Sequence, residues 1–325
     1  MPDFSLLQKQ IEESNSISII VHRKPDGDAM GSALAFWKFL KDNSKKATVI
    51  APTDYPENLY WLPGNDEVLE FGKQKEEVIK ALKDSDIIAC LDFNALGRVE
   101  ELQEFVESSN AYKIMVDHHR QPDDFADWMY SDIEASSTCE LIYDVITELG
   151  GEIDYDIAVN LYVGILTDTG SFQYSATRPK VHRIAAELLE KGVRPELTHD
   201  LIYNSFRKNE LQFIGYCLDR RMRLIEKDSI AYMALSMDDI QRFHVGTGGT
   251  EGLVNYPMKI KTVKMSVLFK QDRDRIKISF RSKGEVDVNK IAREHFNGGG
   301  HFNASGGAWF GTLEEAVERF VNIFN

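Results

Sequence analysis

Four short, nearly unbroken apolar runs constrain this chain more than any other feature: SISIIV (16–21), ATVIA (47–51), DIIACL (86–91) and YKIMV (112–116). Such β-branched and aliphatic continuity marks parallel strands buried on both faces. The stretches between them, 29–42, 75–83 and 99–108, space apolar residues three and four apart and carry charged outer faces, which predicts helices. Strand and helix in alternation predict an α/β fold with a doubly wound, mostly parallel sheet. Further helices are expected over 137–150, with Ser137 or Thr138 as N-cap and Gly150 near the C-cap, over 156–170 and over 179–192.

The pattern changes near residue 193. A more polar helical stretch, 193–212, reads as a linker between a first domain (1–192) and a smaller second domain (213–325). In the second domain RRMRLIE (220–226), SIAYMALS (229–236), VKMSVLFK (263–270) and RIKISFRS (275–282) predict a mixed sheet. VNKIAREHF (288–296) and TLEEAVERFVNIF (312–324) predict helices. GTGGTEG (246–252) and NGGGHFNASGG (297–307) read as loops. A chain of 325 residues exceeds what one hydrophobic core usually organises, which agrees with two domains.

Charge separates the halves. The net charge of −14 divides into −17 over residues 1–212 and +3 over 213–325. An acidic first domain disfavours long duplex nucleic acid unless bound cations offset it locally. Neither a signal peptide nor an apolar run near the roughly 20 residues of a membrane span is read, and no membrane partner is expected. Cys90, Cys139 and Cys217 are odd in number and far apart, so a reducing cytoplasm is expected.

Titratable residues gather at the predicted strand ends. His22, Asp26 and Asp28 form H-x-x-x-D-x-D directly after the first strand, where Pro25 and Gly27 allow a tight turn. Imidazole and carboxylate together suit Mn²⁺, Mg²⁺, Fe²⁺ or Co²⁺. A solvated turn explains the same residues if they are taken alone. Asp92 ends DIIACL, where an Asx-turn or helix cap is the alternative. Asp117-His118-His119 follows YKIMV, and Asp168 ends an apolar helix, where it could equally be a turn residue. In an open α/β sheet ligands bind beyond the carboxyl ends of the strands. That many acidic and imidazole groups at one edge repel one another unless cations lie between them, so a two-metal centre is expected. Gly298-Gly299-Gly300-His301 offers backbone N–H groups to an anion, and Arg281 ends a predicted strand of the same domain.

H-x-x-x-D-x-D, LDFN, VDHH and GILTDTGSFQYSATRP, in this order, resemble the DHH phosphoesterase superfamily. SFRSKGEVDVNKIA and GGGHFNASGG resemble the DHHA1 accessory domain of its first subfamily. The compact form is similar to the branch of oligoribonucleases (nanoRNases) and 3′-phosphoadenosine-5′-phosphate phosphatases. The resemblance implies two divalent ions, Mn²⁺ foremost with Mg²⁺ or Co²⁺ as substitutes. His22, Asp26 and Asp92 would hold one, and Asp28, Asp92, His118 and Asp168 the other. Asp117 would orient a histidine, and His119 would face the scissile phosphate. Arg98, Arg281, Gly299, Gly300 and His301 would hold substrate in a cleft between the domains. Implied substrates are short single-stranded RNA or DNA oligomers, or the 3′,5′-bisphosphonucleotide. Attack on phosphorus by a metal-activated water would run in line with the departing oxygen. A linear dinucleotide phosphodiesterase and a non-catalytic nucleotide sensor are the alternatives, and a homodimer is compatible with the architecture.

Overall fold

A computed structural model of the chain describes residues 2–225, 227, 229–246, 249–250 and 252–324. The chain divides after Ser205 into two compact units, Met1–Ser205 and Phe206–Asn325.

Unit 1 carries six parallel strands: β1 (Ser16–Val21), β2 (Lys46–Ala51), β3 (Leu69–Glu70), β4 (Ile87–Leu91), β5 (Tyr112–Asp117) and β6 (Trp128–Ser131). Their order is β3-β2-β1-β4-β5-β6, so the winding reverses between β1 and β4. The continuous apolar runs are explained by two cores. Ile17, Ile19 and Val21 of β1, Ile87, Ala89 and Leu91 of β4, and Ile114 and Val116 of β5 enter one core. Ile20, Ile88, Cys90 and Met115, at alternate positions, enter the other. Each such buried Ile, Val or Leu contributes about 1.5–3 kcal/mol relative to exposure.

The first face is covered by α2 (Gly27–Asp42), α5 (Thr138–Glu148), α6 (Tyr155–Asp168) and α7 (Pro179–Glu190), with α1 (Phe4–Glu13) at its margin. The second is covered by α3 (Lys75–Lys83) and α4 (Gln103–Ser108). Helix α8 (Pro195–Tyr203) completes the unit. Glycines let the first-face helices approach closely. A Cβ at Gly31 of α2 would lie 2.4 Å from the Asn160 carbonyl of α6, and one at Gly164 of α6 would lie 2.2 Å from Cys139 Sγ of α5.

One expected helix is broken. Residues 99–108 do not run as a single helix: 3₁₀ geometry spans Leu96–Leu102, and only Gln103–Ser108 is α-helical. Glu100 adopts φ 50°, ψ −123°. At the break the Arg23 N–H donates to the Arg98 carbonyl at 2.8 Å and the Arg23 guanidinium meets Glu100 at 2.6 Å. Tertiary pairing here outweighs local helix preference.

Unit 2 starts with α9 (Lys208–Tyr216) and builds a mixed sheet from β7 (Met222–Ile225), β8 (Ile230–Leu235), β9 (Met265–Gln271), β10 (Ile276–Ser282), β11 (Gly299–Gly300) and β12 (Ala304–Trp309). The order is β11-β12-β10-β9-β8-β7, with β8 and β9 parallel and the other pairs antiparallel. Helix α10 (Met237–Arg242) follows β8, while α11 (Val288–His295) and α12 (Leu313–Ile323) pack on one sheet face around Phe269, Phe280, Phe296 and Phe320.

The segment 297–307 is not the loop expected from its glycines, since β11 and part of β12 lie within it. A Cβ at Gly298 would lie 2.0 Å from the Gly306 carbonyl, so the missing side chain lets the two backbones close up. Within the other glycine-rich stretch, Thr247, Gly248 and Glu251 lie outside the described residues, as does Glu226 at the end of RRMRLIE. No helix among the described residues is long and apolar enough to cross a membrane. The three cysteines are buried and unpaired.

Candidate metal centre

The reversal point of the sheet sets the position of the centre, because β1 and β4 diverge there and leave a crevice beyond their carboxyl ends. His22 follows β1, Asp92 follows β4, and Asp117 closes β5. Asp92 has φ 63°, a left-handed conformation that aspartate tolerates better than most residues. Its N–H still donates to the Val116 carbonyl at 3.0 Å, so the strand remains anchored while its carboxylate turns into the crevice.

Asp28 lies in the first turn of α2, and Asp168 is the last residue of α6. Asp26 is the N-cap of α2, with Oδ1 accepting from Asp28 N at 3.0 Å and Ala29 N at 3.1 Å. The turn reading of P-D-G-D is therefore realised at Asp26, whose side chain is 40% exposed, but not at Asp28, which is 1% exposed.

These side chains converge. His22 Nε2 lies 3.3 Å from Asp92 Oδ2 and 3.9 Å from Asp26 Oδ1. His118 Nε2 lies 3.2 Å from Asp168 Oδ2, 3.6 Å from Asp92 Oδ1 and 3.7 Å from Asp28 Oδ2. Asp92 thus presents one oxygen to each histidine. His22, Asp26 and Asp92 form one compact donor group, and Asp28, Asp92 and His118 form another that shares Asp92.

The histidine tautomers follow from their partners. His22 Nδ1 lies 2.8 Å from the Arg23 carbonyl, which only accepts, so Nδ1 donates and Nε2 is the atom turned to the carboxylates, a donor to Asp92 when the ring is protonated and a metal-ligand atom when it is neutral. Asp117 clamps His119 through Oδ1 at 2.7 Å from Nδ1 and Oδ2 at 2.9 Å from the backbone N–H. That contact occupies Nδ1 and fixes the ring.

The electrostatics show how crowded the centre is. Burial, then Asp92 and Asp168, pushes the Asp28 carboxyl well above its ordinary value. Burial also acts to raise Asp92, but the hydrogen bond from His22 and the charges of His22, His119 and His118 hold it far below the usual carboxylate range. For His118, burial lowers the pKa, yet Asp168, Asp28, Asp92 and Asp117 together carry it up to about 9. His22 is likewise raised, burial being outweighed by Asp92 and Asp26, against an opposing contribution from Arg98. Among the described residues no lysine or arginine forms an ion pair with Asp28 or Asp92. Buried carboxylates and inward imidazole nitrogens without a fixed cation make a donor set that suits hard divalent metals.

The other expected site residues lie in two places. Arg98 is in the Leu96–Leu102 segment beside His22. In unit 2, Arg281 of β10 pairs in register with Ala304 of β12, and the β11–β12 hairpin carries Gly299, Gly300 and His301. Thr138, at the start of α5, was read from sequence only as an alternative N-cap. Its Oγ1 donates to Asp92 Oδ1 at 2.9 Å, a contact that the S-S-T capping pattern alone does not announce.

This crevice, with its shared carboxylate and paired histidines, gathers buried His/Asp clusters suited to binding metal, the site class of a phosphoesterase. The chain belongs to the DHH phosphoesterases: the N-terminal domain of the DHH family matches residues 16–165, and the DHHA1 domain matches residues 228–325. It is 31% identical to a probable bifunctional oligoribonuclease and PAP phosphatase NrnA of Streptococcus mutans, over 94% of this chain and 93% of that one. Identity to the bifunctional oligoribonuclease and PAP phosphatase NrnA of Thermus thermophilus is also 31%, over 94% and 88%. A crystal structure of an exopolyphosphatase-related protein from Bacteroides fragilis is 38% identical, with TM-score 0.92, covering 98% of this chain and 94% of that one. The fold is also shared with RecJ of Thermus thermophilus in complex with Mn²⁺, at TM-score 0.53 and 14% identity over 99% of this chain and 54% of that one.

Proposed function

We propose that this chain is a manganese-dependent phosphoesterase that hydrolyses short oligoribonucleotides to nucleoside monophosphates, and 3′-phosphoadenosine-5′-phosphate to AMP and phosphate. The observation that carries the reading is Asp92, buried and set between His22 and His118 with one oxygen toward each. The likeness to the two NrnA proteins over nearly the whole chain supports its substrate class.

His22, Asp26 and Asp92 would hold one cation, and Asp28, Asp92, His118 and Asp168 the second. Divalent cations in such a donor set supply Lewis-acid charge neutralisation and a nucleophile at neutral pH. The chain's own residues do the rest. Asp117 fixes His119 so that Nε2 is the ring atom that meets a phosphate oxygen, where it stabilises developing charge or protonates the leaving oxygen. Arg98 adds positive charge beside His22. Arg281 and the Gly299-Gly300-His301 hairpin bind the nucleotide, the arginine by its two-pronged fit to phosphate.

The test is hydrolysis with Mn²⁺ of di- to pentaribonucleotides, a linear diadenylate, the bisphosphonucleotide, pyrophosphate and polyphosphate. Turnover of the short oligomers and the bisphosphonucleotide is expected. Turnover confined to polyphosphate or pyrophosphate would replace the substrate class, and turnover of the diadenylate alone would favour the dinucleotide phosphodiesterase. Stoichiometric nucleotide binding with no turnover would leave a sensor.

A further inference from the structure

The first turn of α5 keeps its own cap but sends its two leading N–H groups toward the metal centre. Ser137 is the N-cap, and its Oγ accepts from Glu140 N at 3.1 Å. Two earlier N–H donors of that turn go to one carboxylate: Thr138 N reaches Asp28 Oδ2 at 2.6 Å, and Cys139 N reaches Asp28 Oδ1 at 2.8 Å. The Thr138 hydroxyl reaches the neighbouring carboxylate, Asp92 Oδ1, at 2.9 Å. An ionised carboxylate only accepts, so the hydroxyl donates. Thr138, Cys139, Asp28 and Asp92 are all essentially inaccessible to solvent.

The turn itself is braced from behind. Glu140 accepts from Ser136 N at 2.7 Å and pairs with Arg178 at 3.1 Å and Lys180 at 3.4 Å. Two carboxylates from different elements, α2 and the end of β4, are therefore oriented by one residue and its neighbour on a third.

We propose that Thr138 is a positioning residue for the metal centre: its hydroxyl fixes the rotation of Asp92 so that Oδ2 faces His22 while Oδ1 stays toward His118. This rests on the metal-dependent reading above. A neutral donor suits the task, because it sets direction while leaving the carboxylate charge for a cation. Partners that orient metal ligands typically change affinity by about 10–100-fold when removed. A threonine that merely satisfied its own buried hydroxyl would instead affect stability and leave metal affinity alone.

The test is calorimetric titration of the full chain with Mn²⁺, comparing wild type, Thr138→Val and Thr138→Ser. Thr138→Val keeps the shape and the helix N–H groups but removes the donor, and Thr138→Ser restores it. The expected result is manganese binding weakened by roughly 10–100-fold in Thr138→Val and near wild type in Thr138→Ser. Equal affinity in Thr138→Val and wild type overturns the proposal, as does an equal loss in both variants. If Thr138→Val does not fold, Thr138→Ala repeats the comparison against Thr138→Ser with the same outcomes. Wild type that binds no manganese overturns the metal-dependent reading itself, so the two failures are distinguishable.

Discussion

Gly164→Ala tests whether the centre is assembled by close helix packing. The added Cβ would lie 2.2 Å from Cys139 Sγ, 2.8 Å from Asp28 Oδ1 and 3.0 Å from Cys139 Cβ. Ordinary carbon contacts lie at about 3.5–4.0 Å, so α5 and α6 must part by about 1 Å or Asp28 must move. Overpacking of this kind costs about 1–3 kcal/mol, while replacing a helical glycine by alanine returns up to about 1 kcal/mol. The net expectation is a loss of about 1–2 kcal/mol, which for a domain of this size lowers Tm by about 2–8 °C. Differential scanning calorimetry of the metal-free protein measures it. Cys139→Ala in the same chain removes the tightest contact, that with Sγ, and is expected to give a double-mutant coupling of roughly 1 kcal/mol or more. Gly215→Ala is the control. Gly215 lies in α9 with no heavy atom within 4 Å of a built Cβ, so alanine there gains about 0.5–1 kcal/mol. Wild-type stability in Gly164→Ala with no coupling to Cys139 would refute the claim that glycine sets this approach.

Three further outcomes are expected. His119→Ala retains metal content by elemental analysis but loses about 10²–10⁴-fold in kcat, since Asp117 already occupies its Nδ1; loss of the metal would make His119 a ligand instead. Arg281→Ala lowers kcat/KM for nucleotides more than for a small generic phosphate ester, and equal losses in a substrate comparison would move Arg281 from recognition to folding. Asp239 accepts from Arg221 at 2.6 Å, Tyr216 at 2.7 Å and Ser236 N at 3.0 Å. Burial opposes its ionisation, but these partners hold its pKa below the usual carboxylate value. Its stabilisation is therefore present above the unfolded value of about 3.9 and is lost as pH falls through the folded one. Asp239→Asn is expected to lower Tm at pH 7, with the gap to wild type closing below about pH 4; a gap unchanged by acid would rule out the ionised network as its source.

The strands were legible because burial on both faces leaves no ambiguity of composition: Ile19 and Ile20 enter opposite cores, and both must be apolar. The short strand Leu69–Glu70 and the strand Trp128–Ser131 offered too few residues for any period to show. Helix α1 escaped notice because it buries only Leu7 and Ile11, although Asp3 caps it through Ser5 N and Leu6 N. Glycine density at 297–307 was read as turn propensity, whereas the backbone used it for close strand pairing. In the crevice the candidate ligand types were visible from their placement after strands. Their orientation was not, because it depends on contacts between distant positions. Thr138 meets Asp92 across 46 residues and Asp28 across 110.

The choice of those orienting groups has a chemical consequence. The fold can neutralise a buried carboxylate with fixed cations, and does so for Glu140, fully buried against Arg178 and Lys180. Two positions earlier on the same helix it uses only neutral N–H and O–H donors toward Asp28 and Asp92. A guanidinium there would orient the carboxylates equally well but would cancel their charge and fill the space between them. Neutral donors orient without cancelling, so repulsion among Asp28, Asp92 and Asp168 persists and pushes the pKa values of His118 and Asp28 upward. A centre built this way has a standing electrostatic demand for multivalent cations. The same demand reconciles the acidic balance of the first 212 residues with the proposed polyanionic substrate, because the positive charge that would meet its phosphate need not come from side chains alone.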